Sequence, residues 1–339
     1  MKLPLISILV AAYNVQPYIK ECLDSIKNQN YENIDVIIVD DYSSDNTRKI
    51  CKEYTETDSR FSLVEHKHNK GLLLARKSAV QHAKGEYSIF VDGDDYLYNN
   101  NAIDELVAFI NEEESDIYRF FATVNGTTKR NKKKWESFLN RGPTHRTSSI
   151  EILEDYFLLK NHPWNLWSSC YKTSLLKNVY NKIKNVNFTC CEDGYTSFLI
   201  ASNAKRYIYI KTKPIYSYRI DTGISTKEIS TEVFIKRSEE LRCIKWLEEY
   251  INQSIDKQSY ERTLNCLKQL EETLTSAYVD RLLAIPEKNL VPILTSSIHA
   301  TYSATTTLNL INRIKKQKQK QIPIHRKIKN NIKLFLNLF

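Results

Sequence analysis

The tetrapeptide Asp92-Gly93-Asp94-Asp95 places three carboxylates in four residues, directly after the apolar run Tyr87 to Val91. A strand that delivers carboxylates into a tight turn can set two of them on one hard cation, with Gly93 letting the backbone bend. Oxygen-only donors suit Mg²⁺ or Mn²⁺ better than zinc, and such an ion can bridge two phosphates and stabilise a departing diphosphate. The plainer alternative is an acidic turn that caps a helix starting near Asn101. Two further polar clusters, Tyr13-Asn14 and Asp40-Asp41, close apolar runs in the same way. None of the seven histidines falls in a metal-ligand spacing. The seven cysteines are scattered without CxxC pairs, which favours reduced thiols in a cytoplasmic protein over a disulfide frame or zinc site.

These clusters need elements to position them. Leu5 to Ala11 is a continuous apolar run, as expected of a buried parallel strand. A turn with Pro17 opens a helix with Ile19, Cys22, Leu23 and Ile26 on one face. Ile34 to Val39 is a second strand, and Ser43 to Asn46 supplies N-cap chemistry for a helix through Cys51 and Tyr54. Phe61 to Glu65 reads as a third strand, Leu72 to Ala83 as a helix that Gly85 ends with a left-handed C-cap, and Tyr87 to Val91 as a fourth strand. This order predicts an α/β fold, a mostly parallel sheet with helices on both faces. Ligands bind such sheets at the carboxyl ends of the strands, where all three polar clusters fall. Farther on, Asp116 to Val124 reads as a strand, Gly126 to Arg146 as a basic loop, and Tyr207 to Tyr218 as a β-segment broken by Pro214. Val233 to Ile251, Tyr260 to Ile285 and Leu290 to Ile314 read as helices of a C-terminal domain.

With its N-terminal third in view, the chain resembles the bacterial family 2 glycosyltransferases of the GT-A fold. The matching segments are Pro4 to Asn14 (PLISILVAAYN), Ile37 to Thr47 (IIVDDYSSDNT), Asn69 to Tyr87 (NKGLLLARKSAVQHAKGEY) and Phe90 to Asp95 (FVDGDD), in that order. Weaker likenesses follow at Trp164 to Leu175, at Glu192-Asp193 and at Tyr218-Arg219. The resemblance implies a metal-dependent, inverting enzyme that moves a hexose or N-acetylhexosamine from a UDP-sugar, with UDP-galactose or UDP-glucose mildly preferred, to a hydroxyl of a growing surface or adhesin-linked glycan. It implies that Ala11, Tyr13 and Asn14 line the nucleoside pocket and that Asp41 meets the uracil or ribose. Arg76 would sit near the base or diphosphate, and Asp92 and Gly93 at the ribose or metal. Asp94 would be the principal ligand of Mn²⁺ or Mg²⁺, and Asp193 the general base. In many relatives the Tyr-Arg segment continues to a histidine ligand. Here Asp221-Thr222-Gly223 follows instead, so Asp221 either replaces that ligand or belongs to an ordinary turn. Each role has a structural alternative: Asp41 as a helix cap, Arg76 as a solvated helix residue, and Glu192 or Asp193 as an N-cap. Trp164 and Trp167 either stack on a sugar or belong to the core.

The implied division is a GT-A domain over residues 1–228, a helical domain over 229–314 and a basic amphipathic tail over 315–339. The chain of 339 residues carries a net charge of +9, and nine Lys/Arg with no Asp or Glu lie between Arg313 and Phe339, so the rest balances at 40 basic and 40 acidic residues. A nucleic-acid-binding protein would carry its excess on the folded face that grips phosphate, so nucleic acid is not an expected partner. At 100° per residue Ile324, Ile328, Ile332, Phe335, Leu336 and Phe339 share one side of the tail, opposite Arg326, Lys329 and Lys333, which suits an anionic membrane surface or a partner protein. No signal peptide or membrane span is expected, giving a cytoplasmic protein that is peripheral on the inner face of the membrane through its tail. Two rivals stand beside the enzyme. One is a non-catalytic scaffold of the same fold in a glycosyltransferase complex. The other is a nicotinamide dehydrogenase, against which the first turn, Ala11-Ala12-Tyr13-Asn14, speaks because it lacks G-x-G-x-x-G.

Overall fold

The computed structural model describes residues 3–126, 129–161, 163–188, 192–211, 213–220 and 241–283. By contact density the chain divides into two compact units, Met1–Lys227 with Glu261–Thr263, and Glu228–Tyr260 with Leu264–Phe339. The first unit is built on strands β1 (Ile6–Ala12), β2 (Ile34–Asp40), β3 (Phe61–Glu65), β4 (Tyr87–Asp92), β5 (Tyr96–Leu97), β6 (Ile117–Phe120), β7 (Ala122–Asn125), β8 (His145–Arg146), β9 (Ser169–Lys172), β10 (Tyr207–Ile210) and β11 (Tyr216–Arg219). Eight of these form one sheet in the order β3-β2-β1-β4-β9-β6-β10-β8, while β5, β11 and β7 make a second, small sheet. Strands β3, β2, β1 and β4 are parallel, and the mostly apolar β1 and β2 are buried on both faces at Ile6, Ile8, Leu9 and Val10 and at Val36 to Val39.

Helices α1 (Gln16–Lys27) and α2 (Thr47–Thr57) pack on each other, while α3 (Leu72–His82) packs on β1 and β2 and on α7 (Thr173–Lys182). Right-handed crossovers put α1 and α2 on one face of the sheet and α3 on the other. The remaining helices of this unit are α4 (Ala102–Glu112), α5 (Lys129–Leu139), α6 (Ser149–Phe157) and α8 (Glu192–Asn203).

The second half of the sheet departs from the expected parallel order. Strand β9 runs antiparallel to both β4 and β6, and β8 antiparallel to β10. The segment expected as one strand near 116–124 is two strands in different sheets, β6 and β7, and the β-segment around Pro214 likewise splits into β10 and β11. The expected basic loop 126–146 contains α5 and β8. Gly85 does not cap α3 in a left-handed conformation; Ala83 is the C-cap. A Cβ at Gly85 would lie 2.5 Å from the Ser7 amide nitrogen and 2.7 Å from the Leu5 carbonyl oxygen, so close backbone approach to β1 requires the glycine.

In the second unit the described helices are α9 (Arg242–Ser254) and α10 (Tyr260–Leu283). Cys243, Leu247 and Ile251 are buried on α9, and Cys266, Leu267, Leu270 and Leu274 on α10, at helical spacing. The expected helix 290–314 and the tail 315–339 lie outside the described residues.

Candidate active site

The parallel register aligns Ala11 with Asp92 and Ala12 with Asp40. The carboxyl ends of β1, β2 and β4 therefore meet, and Ala11, Asp40-Asp41 and Asp92 to Asp95 stand side by side. The Gly93 amide donates to the Ala11 carbonyl at 3.1 Å, and a Cβ there would sit 3.1 Å from the same oxygen. Glycine lets the acidic turn fold close over the end of β1.

The three carboxylates of the turn differ in what holds them. Asp95 is 1% exposed; its carboxylate accepts from the Tyr216 hydroxyl at 2.7 Å and from the Arg219 amide at 2.7 Å. Arg219 also donates to the Asp94 carbonyl at 2.9 Å and to Glu21 at 2.7 Å, under the rings of Tyr18 and Tyr96. Burial first, then the charges of Asp94 and Asp92, push the Asp95 carboxyl well above the usual range. Asp95 thus ties β11 to the turn. Asp92 and Asp94 are partly exposed and remain at the surface of the site.

Arg76, on α3 and only 2% exposed, joins the two halves of the site. Its Nη2 donates to Asp92 Oδ1 at 2.9 Å and its Nη1 to Asp193 Oδ1 at 2.6 Å. Both terminal nitrogens thus engage carboxylates, and the ring of Phe90 lies 5.7 Å from the guanidinium. Asp193 stands in the first turn of α8, beside Glu192. Burial raises its carboxyl above the usual range, and Arg76 opposes that rise.

Asp41 is 3% exposed. One oxygen accepts from His66 Nδ1 at 2.6 Å and the Lys70 amide at 2.8 Å, the other from Asn69 Nδ2 at 3.0 Å and the Gly71 amide at 2.8 Å. Four donors fill a carboxylate's acceptor sites, so Asp41 holds the 66–71 loop. His66, absent from the expected set, follows β3 one step beyond the Asp40–Glu65 pair and also meets Ser78 at 2.9 Å. Asn14 adopts a positive φ of 52° and accepts from the Ser44 amide at 2.8 Å, while Tyr13 is 42% exposed beside it. Trp167 is core: it stacks on Tyr216 at 4.6 Å and Tyr218 at 5.1 Å. Trp164 donates to the Tyr156 carbonyl at 3.3 Å and lies 5.6 Å from the Phe157 ring.

Asp221 lies outside the described residues. Among the described residues no group of three or more His, Cys, Asp and Glu is placed to hold a metal ion. The donors nearest to such a group are Asp92 and Asp94. Their oxygen-only chemistry and partial exposure fit a hard divalent cation, whereas Asp95 is engaged by β11.

The family model described as "Glycosyl transferase family 2" matches residues 7–180. Among relatives at 28–42% identity, the chain spans 27–66% of their own length. One relative, the minor teichoic acid biosynthesis protein GgaB of Bacillus subtilis, is 29% identical over 63% of this chain and 23% of its own. The fold is similar to the crystal structure of S. aureus TarS 1-349 in complex with UDP-GlcNAc, with a TM-score of 0.54 and 20% identity over 94% of this chain and 93% of that one. It is also similar to the mannosyltransferase PcManGT from Pyrobaculum calidifontis in complex with GDP-Man and Mn²⁺, with a TM-score of 0.51 and 18% identity over 94% and 88%.

Proposed function

The chain belongs to glycosyl transferase family 2, and from that premise we propose that it transfers a sugar from a UDP-sugar to a hydroxyl of a growing surface glycan, with inversion at the anomeric carbon. The observation that carries the reading is the Arg76 fork. It brings the Asp193 carboxylate to the strand end that bears Asp92 and Asp94. A base is thereby set across from an acidic turn, which is the layout a one-step displacement requires.

In that reaction the acceptor oxygen attacks the anomeric carbon as the bond from that carbon to the diphosphate oxygen breaks. UDP departs with the bonding pair, and the acceptor's proton passes to Asp193. Asp94 and Asp92, with Asp221 as a third donor, would hold Mn²⁺ or Mg²⁺, which when bound neutralises charge on the departing diphosphate. Arg76 holds Asp193 in place and counters the proton affinity that burial gives it. The exposed Tyr13 ring, with Ala11 and Asn14, lines the wall for the nucleoside, and Asp41 shapes that wall through the 66–71 loop. The UDP-GlcNAc and Mn²⁺ complexes of similar folds and the GgaB likeness support a UDP-sugar donor, a divalent cation and a surface-glycan acceptor.

Asp193→Asn tests the reading. It should lower turnover by about 10²–10⁴-fold, the usual contribution of a general base, while calorimetry shows nearly unchanged UDP affinity. Wild-type turnover in that variant would refute the base. A protein that binds UDP but shows no transfer to any glycan acceptor would instead be the non-catalytic scaffold.

A further inference from the structure

Helix α5 takes no part in the site above, and its composition sets it apart. Between Lys129 and Arg141 there are six Lys/Arg and a single acid, Glu136. Its C-terminal half is fastened to the small sheet. The Asn140 side chain accepts from the Ala122 amide at 2.8 Å and donates to the Ala122 carbonyl at 2.7 Å. The fully buried Arg119 donates to the Leu139 carbonyl at 2.9 Å, and Glu136 accepts from the Thr123 hydroxyl at 2.5 Å. Leu139 is buried, but the two large rings beside it are not: Trp135 is 40% and Phe138 43% exposed. The rings meet edge-on at 6.2 Å, and the Arg141 guanidinium lies 4.7 Å from the Phe138 centroid. At 100° per residue Trp135 and Phe138 lie about 60° apart, and Lys134 about 40° beyond Phe138. The rings, Lys134 and Arg141 therefore share one solvent-facing strip on a helix whose other side is pinned.

We propose that α5 docks this chain on an anionic phospholipid surface, with Trp135 and Phe138 at the boundary between headgroups and acyl chains and Lys134 and Arg141 on the headgroup phosphates. A bilayer offers negative charge lying over an apolar layer, and α5 presents the complement, rings bordered by cations. Tryptophan suits that depth because its ring is apolar while its N–H keeps a polar partner. The cationic stems reach outward past the rings to the phosphates. The contact is independent of sugar transfer, and its readout is binding.

The full-length protein is sedimented with phosphatidylglycerol–phosphatidylcholine vesicles and with phosphatidylcholine vesicles alone. Binding is expected to the first, and the paired changes Trp135→Ala with Phe138→Ala, or Lys134→Glu with Arg141→Glu, should each weaken it about tenfold or more. Quenching of tryptophan emission by brominated lipid should vanish in Trp135→Phe while that variant still sediments. Unchanged UDP affinity confirms that a variant is folded; where a paired change fails this check, Lys134→Gln with Arg141→Gln replaces it. Variants that sediment like the wild type, or quenching that survives Trp135→Phe, would overturn the proposal. So would variant-sensitive binding to soluble poly(glycerol phosphate) without vesicle binding, which would make α5 a contact for anionic glycan.

Discussion

Burial raises the Asp193 carboxyl's affinity for a proton, while Arg76 at 2.6 Å favours the charged form, and the net displacement is upward. A base works only as the carboxylate, so the rate falls as pH drops through its pKa. The acidic limb of kcat/KM is therefore expected above the ordinary carboxylate range near pH 4, and a limb at or below that value in a pH–rate profile would contradict the displacement. Asp94 faces a different demand. Asp94→Ala should weaken Mn²⁺-dependent UDP binding about tenfold or more and leave metal-free binding unchanged; equal calorimetric affinity in Mn²⁺ would remove Asp94 as a ligand. The acidic residues of this corner were legible in the sequence because strand ends and turn chemistry are local. The use made of Arg76 and Asp41 was not. Arg76 meets Asp92 and Asp193, 16 and 117 residues away, and the four donors on Asp41 come from a loop after the next strand. Only the tertiary fold decides which protein groups these side chains meet.

Elements buried on both faces declared themselves by composition. The runs of β1, β2 and β4 are mostly apolar, with Ser7, Asp35 and Ser88 as the exceptions, and each ends at the residue where the site begins. Short or polar elements did not. Strand β5 has two residues, β11 four, and α5 has no continuous apolar stripe, because its helical state rests on good helix formers and on the Asn140 and Glu136 anchors. The antiparallel entry of β9 between β4 and β6 follows from long-range pairing that no local period encodes. Strand β11 is nevertheless decisive for the acidic turn, since Tyr216 and Arg219 both converge on Asp95. Asp95→Ala would strand the buried Tyr216 hydroxyl and the Arg219 amide without their acceptor. That loss should lower unfolding free energy by about 3 kcal/mol, read as a lower denaturant midpoint at unchanged slope. A shift below about 1 kcal/mol would mean that β11 is held by the Trp167 stack instead.

At the scale of the whole molecule, positive charge is concentrated in two places: nine Lys/Arg between Arg313 and Phe339, and six between Lys129 and Arg141. Among the described residues no helix is long and apolar enough to cross a membrane. A single weak contact gives marginal, reversible binding, whereas two contacts on one surface multiply their effects through effective concentration. Removing residues 315–339 from a chain with α5 intact should therefore weaken binding to phosphatidylglycerol-containing vesicles about tenfold or more without abolishing it. Combining the truncation with Lys134→Glu and Arg141→Glu should abolish sedimentation, while UDP affinity stays at the wild-type value in all three proteins. Raising ionic strength should reproduce the loss in stages, because screened charges contribute less as the Debye length shrinks from about 10 Å at 0.1 M to about 3 Å at 1 M. Truncated protein that sediments as fully as the intact chain at every salt concentration would show that the tail makes no membrane contact.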